Sequence, residues 1–227
     1  MVALMFPEDS APRRGQLCEQ YRPNSWADVI GQDKALARIE ALRPRGLAGR
    51  AWWISGQSGT GKTTIARLLA REVADEFGTE EIDAEGLSAA RVVDLERQSA
   101  TRCIGKGGRA FIVNEAHGLR KPTVRQLLNT LEADRIPLHV IWIFTTTTDG
   151  EQMLLDGCED SAPLLSRCAT LALSRRDLSG PFADRIIEIC AKEKLGAPTV
   201  AQAVKLLQAH KNNLRAALQA VESGAFL

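Results

Sequence analysis

Gly56-Gln57-Ser58-Gly59-Thr60-Gly61-Lys62-Thr63 is the stretch that decides the fold: two glycines with four residues between them, then Lys and Thr. This spacing fits a phosphate-binding loop, and its surroundings agree. Ala51-Trp52-Trp53-Ile54-Ser55 is a short apolar run without a helical period, as a strand buried on both faces of a parallel sheet requires. Thr64-Ile65-Ala66-Arg67-Leu68-Leu69-Ala70 is rich in helix formers and follows the loop directly. Strand, glycine loop and helix therefore occur in the order that aims a helix N-terminus at an anion.

Triphosphate oxygens need many donors at short range, and backbone amides supply them only where no side chain blocks the approach. The candidate phosphate contacts are Gly56, Gln57, Ser58, Gly59, Thr60, Gly61, Lys62, Thr63 and Thr64. Lys62 is expected on the β- and γ-phosphates of ATP, and the Thr63 hydroxyl on Mg²⁺.

A length of 227 residues suits one large domain with a small companion. With 25% charged residues and a formal net charge of +1, composition predicts neither disorder nor bulk attraction to nucleic acid or membrane. Met1 to Ser10 carries Glu8 and Asp9 and reads as neither a secretory signal nor a transit peptide, and no apolar run approaches membrane-spanning length. Cys18, Cys103, Cys158, Cys168 and Cys190 form no CxxC pair, so they are expected as ordinary thiols of a reduced, cytoplasmic protein without zinc.

Downstream, Arg109-Ala110-Phe111-Ile112-Val113-Asn114-Glu115 reads as a second strand following the turn Gly105 to Gly108. Where a phosphate-loop enzyme ends this strand in Asp then Glu, the pair here is Asn114-Glu115: the water-orienting carboxylate is present, and a neutral amide stands at the Mg²⁺ position. Leu138 to Phe144 is strand-like and opens into Thr145-Thr146-Thr147-Thr148-Asp149, putting hydroxyls at a strand's carboxyl end. Helical spacing marks residues 123–133, and Cys168 to Leu173 reads as a final strand. After a boundary near Ser174, three apolar-periodic stretches follow at 181–194, 199–210 and 213–222. The expected organisation is an N-terminal segment (1–20), an α/β nucleotide-binding domain with a helix-sandwiched parallel sheet (21–174) and a small all-helical lid (175–227).

The assembled residues resemble the ATPase subunits of sliding-clamp loaders within the AAA+ class, including the bacterial polymerase III gamma/tau type. Tyr21-Arg22-Pro23 and Asp28-Val29-Ile30-Gly31-Gln32 look like that family's opening "YRP…DVVGQ" motif, implying adenine contacts from Tyr21, Arg22, Pro23, Val29 and Ile30. Glu81-Ile82-Asp83-Ala84 resembles its "EIDA" strand and Leu127 to Glu132 its "LLKTLE" helix. Thr147-Thr148-Asp149 matches "TTD" and implies a sensor 1 residue at Thr148 or Thr147. Leu165-Ser166-Arg167-Cys168 is similar to "LSRC" and implies that Arg167 is an arginine finger acting on a neighbouring subunit. Asn213 to Leu218 resembles "xLRDAL" and implies sensor 2 at Arg215.

The departures are Asn114, the missing zinc-binding cysteine cluster, and a chain that stops after the sensor 2 helix where clamp-loader subunits continue into a helical collar. His117 is expected to be a supporting or surface histidine rather than part of a helicase box. Between Arg91 and Arg125, eight cations (Arg91, Arg97, Arg102, Lys106, Arg109, Arg120, Lys121 and Arg125) face only Asp94, Glu96 and Glu115, a local excess suited to a phosphate backbone. The resulting expectation is an ATP- and Mg²⁺-dependent AAA+ ATPase, slow because of Asn114, that forms a ring with itself or related subunits on DNA and has a sliding clamp as candidate partner. The alternatives are a helicase loader, branch-migration motor or transposition regulator on the same module, and a weakly hydrolysing adaptor that uses ATP as an assembly signal.

Overall fold

The computed structural model describes residues 15–132 and 134–226. In chain order the elements are α1 (Leu17–Gln20), α2 (Asp33–Leu42), β1 (Arg50–Gly56), α3 (Lys62–Val73), β2 (Thr79–Asp83), α4 (Ala89–Ser99), β3 (Arg109–Asn114) and α5 (Lys121–Thr130). Then come β4 (Val140–Thr146), α6 (Thr148–Gly157), α7 (Ser161–Ser166), β5 (Cys168–Leu173), α8 (Ser179–Glu193), α9 (Val200–Ala209) and α10 (Leu214–Glu222). The five strands form one sheet in the order β2-β3-β4-β1-β5. All of its pairings are parallel.

Period-two alternation assigns each strand residue to one of two cores. On one face Trp53, Phe111, Trp142 and Phe144 pack together, with ring centroids 4.7 Å apart for Phe111–Trp142 and 5.7 Å for Trp53–Phe144. Val92 and Leu95 of α4, Val124 and Leu127 of α5, Leu154 of α6 and Leu164 of α7 cover them. On the other face Trp52, Ile54, Ile112 and Ile143 lie beneath Ile39 of α2 and Ile65 and Leu69 of α3. Both tryptophans of β1 are fully buried, which fixes that strand inside the sheet.

The observed β4 runs two residues further than expected, so Thr145 and Thr146 belong to the strand and are buried. Leu138, read as strand, lies outside it and is 88% exposed. Neighbouring backbone satisfies the threonine main chain, and polar partners satisfy their hydroxyls, so the change from apolar to polar sequence did not end the strand. The turn at Gly105 to Gly108 carries positive φ at Gly105 and Gly107.

A third core joins Phe182, Ile186 and Ile189 of α8, Leu207 of α9, and Leu218 and Val221 of α10. Asn213 caps α10 by accepting the Ala216 amide at 3.3 Å, and a Thr199–Gln202 capping box opens α9. Leu17 belongs to this helical core, and its amide donates to Glu222 Oε1 at 2.6 Å, so the described part of the N-terminal segment is packed on the C-terminal helices.

One side chain ties the glycine loop to the connection between β5 and α8. Gln32 is buried; its Nε2 donates to Ser174 O at 2.9 Å and to Thr60 O at 3.4 Å, and its Oε1 accepts the Ser174 amide at 3.2 Å. Removing the amide leaves the buried Thr60 carbonyl and the part-buried Ser174 backbone groups without this partner. Gln32→Ala should therefore lower unfolding free energy by about 1–3 kcal/mol, read from denaturant titration. An unchanged midpoint would show that this bridge contributes nothing.

Candidate nucleotide site

The loop after β1 lies at the carboxyl edge of a parallel sheet, where α3 begins and the crossovers of β1 and β4 leave in opposite directions. Gly61 immediately precedes α3 with φ +93°, a conformation that an L side chain rarely adopts. A Cβ at Gly59 would come within 2.0 Å of Asn213 Oδ1, so the α10 cap sits directly against the loop. Lys62 Nζ donates to the loop carbonyls of Gly56 at 3.0 Å and Gln57 at 3.2 Å. Burial lowers the pKa of this ammonium; Glu115 opposes the shift, whereas Arg215 and Arg175 add to it. The crevice therefore concentrates positive charge around a buried lysine.

Glu115 follows β3 in a left-handed conformation, φ 50° and ψ 50°, that swings its side chain out of the strand line. Its Oε2 lies 3.5 Å from His117 Nδ1, and the same nitrogen is 3.3 Å from Thr146 Oγ1. The histidine read as supporting or surface thus touches the water-orienting candidate. Asn114 is held on both sides of its amide: Nδ2 donates to Glu81 Oε1 at 2.6 Å, and Oδ1 accepts from Thr145 Oγ1 at 3.0 Å. Arg67 of α3 holds Glu81 through Nε at 2.9 Å and Nη2 at 3.2 Å. Burial would raise the Glu81 pKa, but its hydrogen bonds to Arg67 and Asn114 outweigh that and leave it lowered.

Among the candidate sensor 1 threonines, Thr147 caps α6 by accepting the Gly150 amide at 3.0 Å, and Thr148 begins that helix exposed. The hydroxyls turned toward Asn114 and His117 belong to Thr145 and Thr146. Four consecutive threonines carry no sequence signal for which of them ends the strand.

Beside the loop a cavity is lined by Tyr21, Arg22, Pro23, Val29 and Ile30, by Gly59, Thr60, Gly61 and Thr64, and by Arg215. The five residues expected at an adenine pocket therefore share one cavity with the loop and the sensor 2 candidate. Arg22 Nη1 reaches Thr64 Oγ1 at 3.5 Å, and the Arg185 guanidinium lies 5.7 Å from the Tyr21 ring centroid. Phe182 and Ile189 of α8 complete the apolar wall. Their helical period was visible in sequence, but nothing there distinguished a cavity wall from lid core.

Arg175 is a cation that sequence reasoning did not single out. Its Nη1 donates to Lys211 O at 3.2 Å, and its Nε is buried without a partner. Arg167 is exposed at the end of α7, where its Nη1 donates to Pro163 O at 3.0 Å. In the β1–β5 register Cys168 pairs with Ala51 and Leu173 with Gly56, so Arg167 lies at the amino end of the sheet. At 3.3 Å per residue that is about 20 Å from the glycine loop.

Part of the basic stretch from Arg91 to Arg125 is engaged within the protein. Arg91 pairs with Glu80, Arg97 with Asp94 and Arg125 with Asp160, while Arg109 donates to Thr101 O at 2.8 Å.

Residues 53–168 match the family model AAA, "ATPase family associated with various cellular activities". The chain is similar to DNA polymerase III subunit tau of Salmonella typhimurium, 29% identical over 185 residues, covering 71% of this chain and 27% of that protein. It is also similar to DNA polymerase III subunit gamma/tau of Mycobacterium tuberculosis H37Rv, 33% identical over 156 residues, covering 58% of this chain and 27% of that one. It thus spans about a quarter of the length of these relatives. Among solved structures, the Thermotoga maritima RuvB Holliday junction branch migration motor superposes with a TM-score of 0.64 at 22% identity, covering 89% of this chain and 64% of that one, a likeness of fold. No helix among the described residues is long and apolar enough to cross a membrane. The chain belongs to the AAA family of ATPases.

Proposed function

We propose that this protein is a DNA-associated ATPase of the clamp-loader type whose hydrolysis depends on assembly with neighbouring subunits. One observation carries this reading: Arg215 lines the cavity beside the glycine loop that leads into Lys62, while Arg167 lies a sheet's length away and is out of reach of its own loop. A cation so placed can serve a phosphoryl group bound to an adjacent subunit. The similarity to polymerase III gamma and tau subunits supports DNA as a partner and a sliding clamp as its candidate cargo.

In the proposed reaction water attacks the γ-phosphate in line, with Glu115 orienting it and accepting its proton. Loop amides and Lys62 hold the β- and γ-oxygens, Arg215 comes from the α10 side, and the neighbour's Arg167 stabilises charge developing on the transferred group. Tyr21, Arg22, Pro23, Val29 and Ile30 hold the base. Oxygen donors at Thr63 and Asn114 fit a hard divalent cation, and Asn114 Oδ1, which accepts one hydrogen bond from Thr145, retains a second lone pair. Mg²⁺, when bound, supplies charge neutralisation on the phosphates.

The adaptor reading draws on the same amide. Without a carboxylate at position 114, metal affinity falls more than nucleotide affinity, giving slow turnover and a persistent ATP state. Phosphate release by the purified chain, with and without primed DNA, tests the enzyme reading; release no faster than from a Lys62→Ala chain would favour the adaptor. Capture of a sliding clamp, as opposed to a hexameric helicase, tests the clamp-loader assignment.

Two further outcomes are expected. Glu115→Gln should cut turnover by about 100-fold or more while sparing ATP binding, and Arg167→Ala should cut it by about 1,000-fold in the assembled state. Mixing the Arg167→Ala chain with a Lys62→Ala chain should restore part of the activity if the finger acts between subunits; no recovery would argue against that arrangement. Asn114→Asp replaces a donor 2.6 Å from Glu81 with a second carboxylate, so by itself it should lower the melting temperature. Adding Glu81→Gln should restore stability and then reduce the Mg²⁺ needed for half-maximal hydrolysis. A chain whose stability is indifferent to Asn114→Asp would show that the Asn114–Glu81 contact is unimportant.

A further inference from the structure

The amino ends of the strands, opposite the nucleotide crevice, border a cleft that draws on four separate chain segments. Its lining includes Arg43 and Arg45 before β1, Arg102 and Lys106 before β3, and Leu138 and His139 before β4. The single acid lining it, Glu72, is already engaged: Oε1 accepts from Trp26 Nε1 at 2.6 Å and Oε2 from Arg43 Nη1 at 3.0 Å. Arg43 is also held by Glu40. Nearby Asp75 accepts the Lys106 amide at 2.6 Å, and Lys106 Nζ donates to Arg71 O at 2.6 Å. Among the described residues, no hydrogen bond or ion pair engages the guanidinium of Arg45 or Arg102.

Two nitrogens here lack partners. His139 Nε2, on the cleft lining, and Arg50 Nε, at the start of β1, are buried without hydrogen bonds, while Arg50 Nη2 contacts Arg45 O at 3.4 Å. Exposed guanidiniums that no carboxylate engages, set in a concave site, are suited to oxyanions. The ATP phosphates cannot fill it, because the seven residues of β1 separate it from the loop by about 20 Å.

We infer that this cleft is a second polyanion site, which takes the phosphate backbone of nucleic acid at the end of the sheet opposite ATP. Resting on the DNA-associated reading above, it replaces the continuous basic stretch with a composite surface. Arg102 and Lys106 contribute, together with Arg45 and His139 from elsewhere in the chain, whereas the ion-paired Arg91, Arg97 and Arg125 do not. Spaced cations without aromatic stacking partners or an element shaped for a groove make the contact sequence-independent. Nucleic acid is favoured over an acidic protein segment because the cleft offers point charges rather than a broad apolar floor, Leu138 being the one exposed large apolar side chain on its lining.

The test uses the full chain and a fluorescein-labelled primed duplex, titrated by anisotropy across a range of salt concentrations. Arg45→Ala with Arg102→Ala should weaken binding about tenfold at low salt and flatten the slope of log K against log salt by about two. Arg91→Ala with Arg97→Ala should leave both unchanged, and binding of a fluorescent ATP analogue should be the same in all chains. If the parent chain binds DNA but the Arg45/Arg102 pair binds equally well, the cleft assignment falls and the DNA reading stands. If the parent does not bind at all, the DNA reading falls with it. Equal loss of ATP-analogue binding would mean that the pair disturbs the whole fold, and Lys106→Glu, a single exposed change, then decides: weaker DNA binding with normal ATP-analogue binding supports the cleft, and unchanged DNA binding overturns it. Retained DNA binding with loss of ATP-dependent self-association would assign the cleft to an acidic face of a second copy.

Discussion

Everything functional in this molecule depends on β1 being held between β4 and β5 with all strands parallel. Two adjacent tryptophans, Trp52 and Trp53, face opposite sides and are both completely buried, so β1 fits nowhere but inside a sheet covered on both faces. Parallel pairing then sends every strand's carboxyl end to one edge. The glycine loop, Asn114, Glu115 and the β4 threonines meet there because of that polarity, and Arg167 and the basic cleft lie at the other end for the same reason.

The polar chain Arg67–Glu81–Asn114–Thr145 links α3, β2, β3 and β4 just beneath the crevice. An aspartate at position 114 would face the lowered-pKa carboxylate of Glu81, whereas an amide can donate to it. The neutral residue is therefore not only a weaker oxygen donor than a carboxylate: it is the donor that joins two strands and relieves what would otherwise be a pair of like charges. Glu81 and Asn114 are best regarded as one unit.

The glycine loop, its strand and its helix were legible because each follows from local rules: an apolar run, glycines where amides must be bare, and a helix former at once after them. The helical C-terminal quarter was legible from apolar periodicity. Less was visible where several segments converge. Gln32 stands in a motif read as adenine-contacting, but its role is to bridge two backbone segments, one of them more than a hundred residues away. The cleft cations come from two segments, 43–45 and 102–106, that only the fold brings together. The Arg91 to Arg125 stretch looked continuous because charge was counted along the chain, while the ion pairs that neutralise much of it are made across space. The contact of His117 with Glu115 depends on the left-handed backbone at Glu115, a conformation that its neighbours in sequence do not announce.

The close seating of the α10 cap on the glycine loop has a steric consequence. Asn213 is both the cap of α10, the helix that carries Arg215, and the group that rests against Gly59, where there is no space for even one added carbon. Loop and lid thus touch through backbone on one side and a helix cap on the other, without a long side chain to act as a spring. Position 59 is thereby restricted to glycine twice over, by its positive φ and by the helix cap packed against it, so loop conformation and helix placement are specified by the same residue.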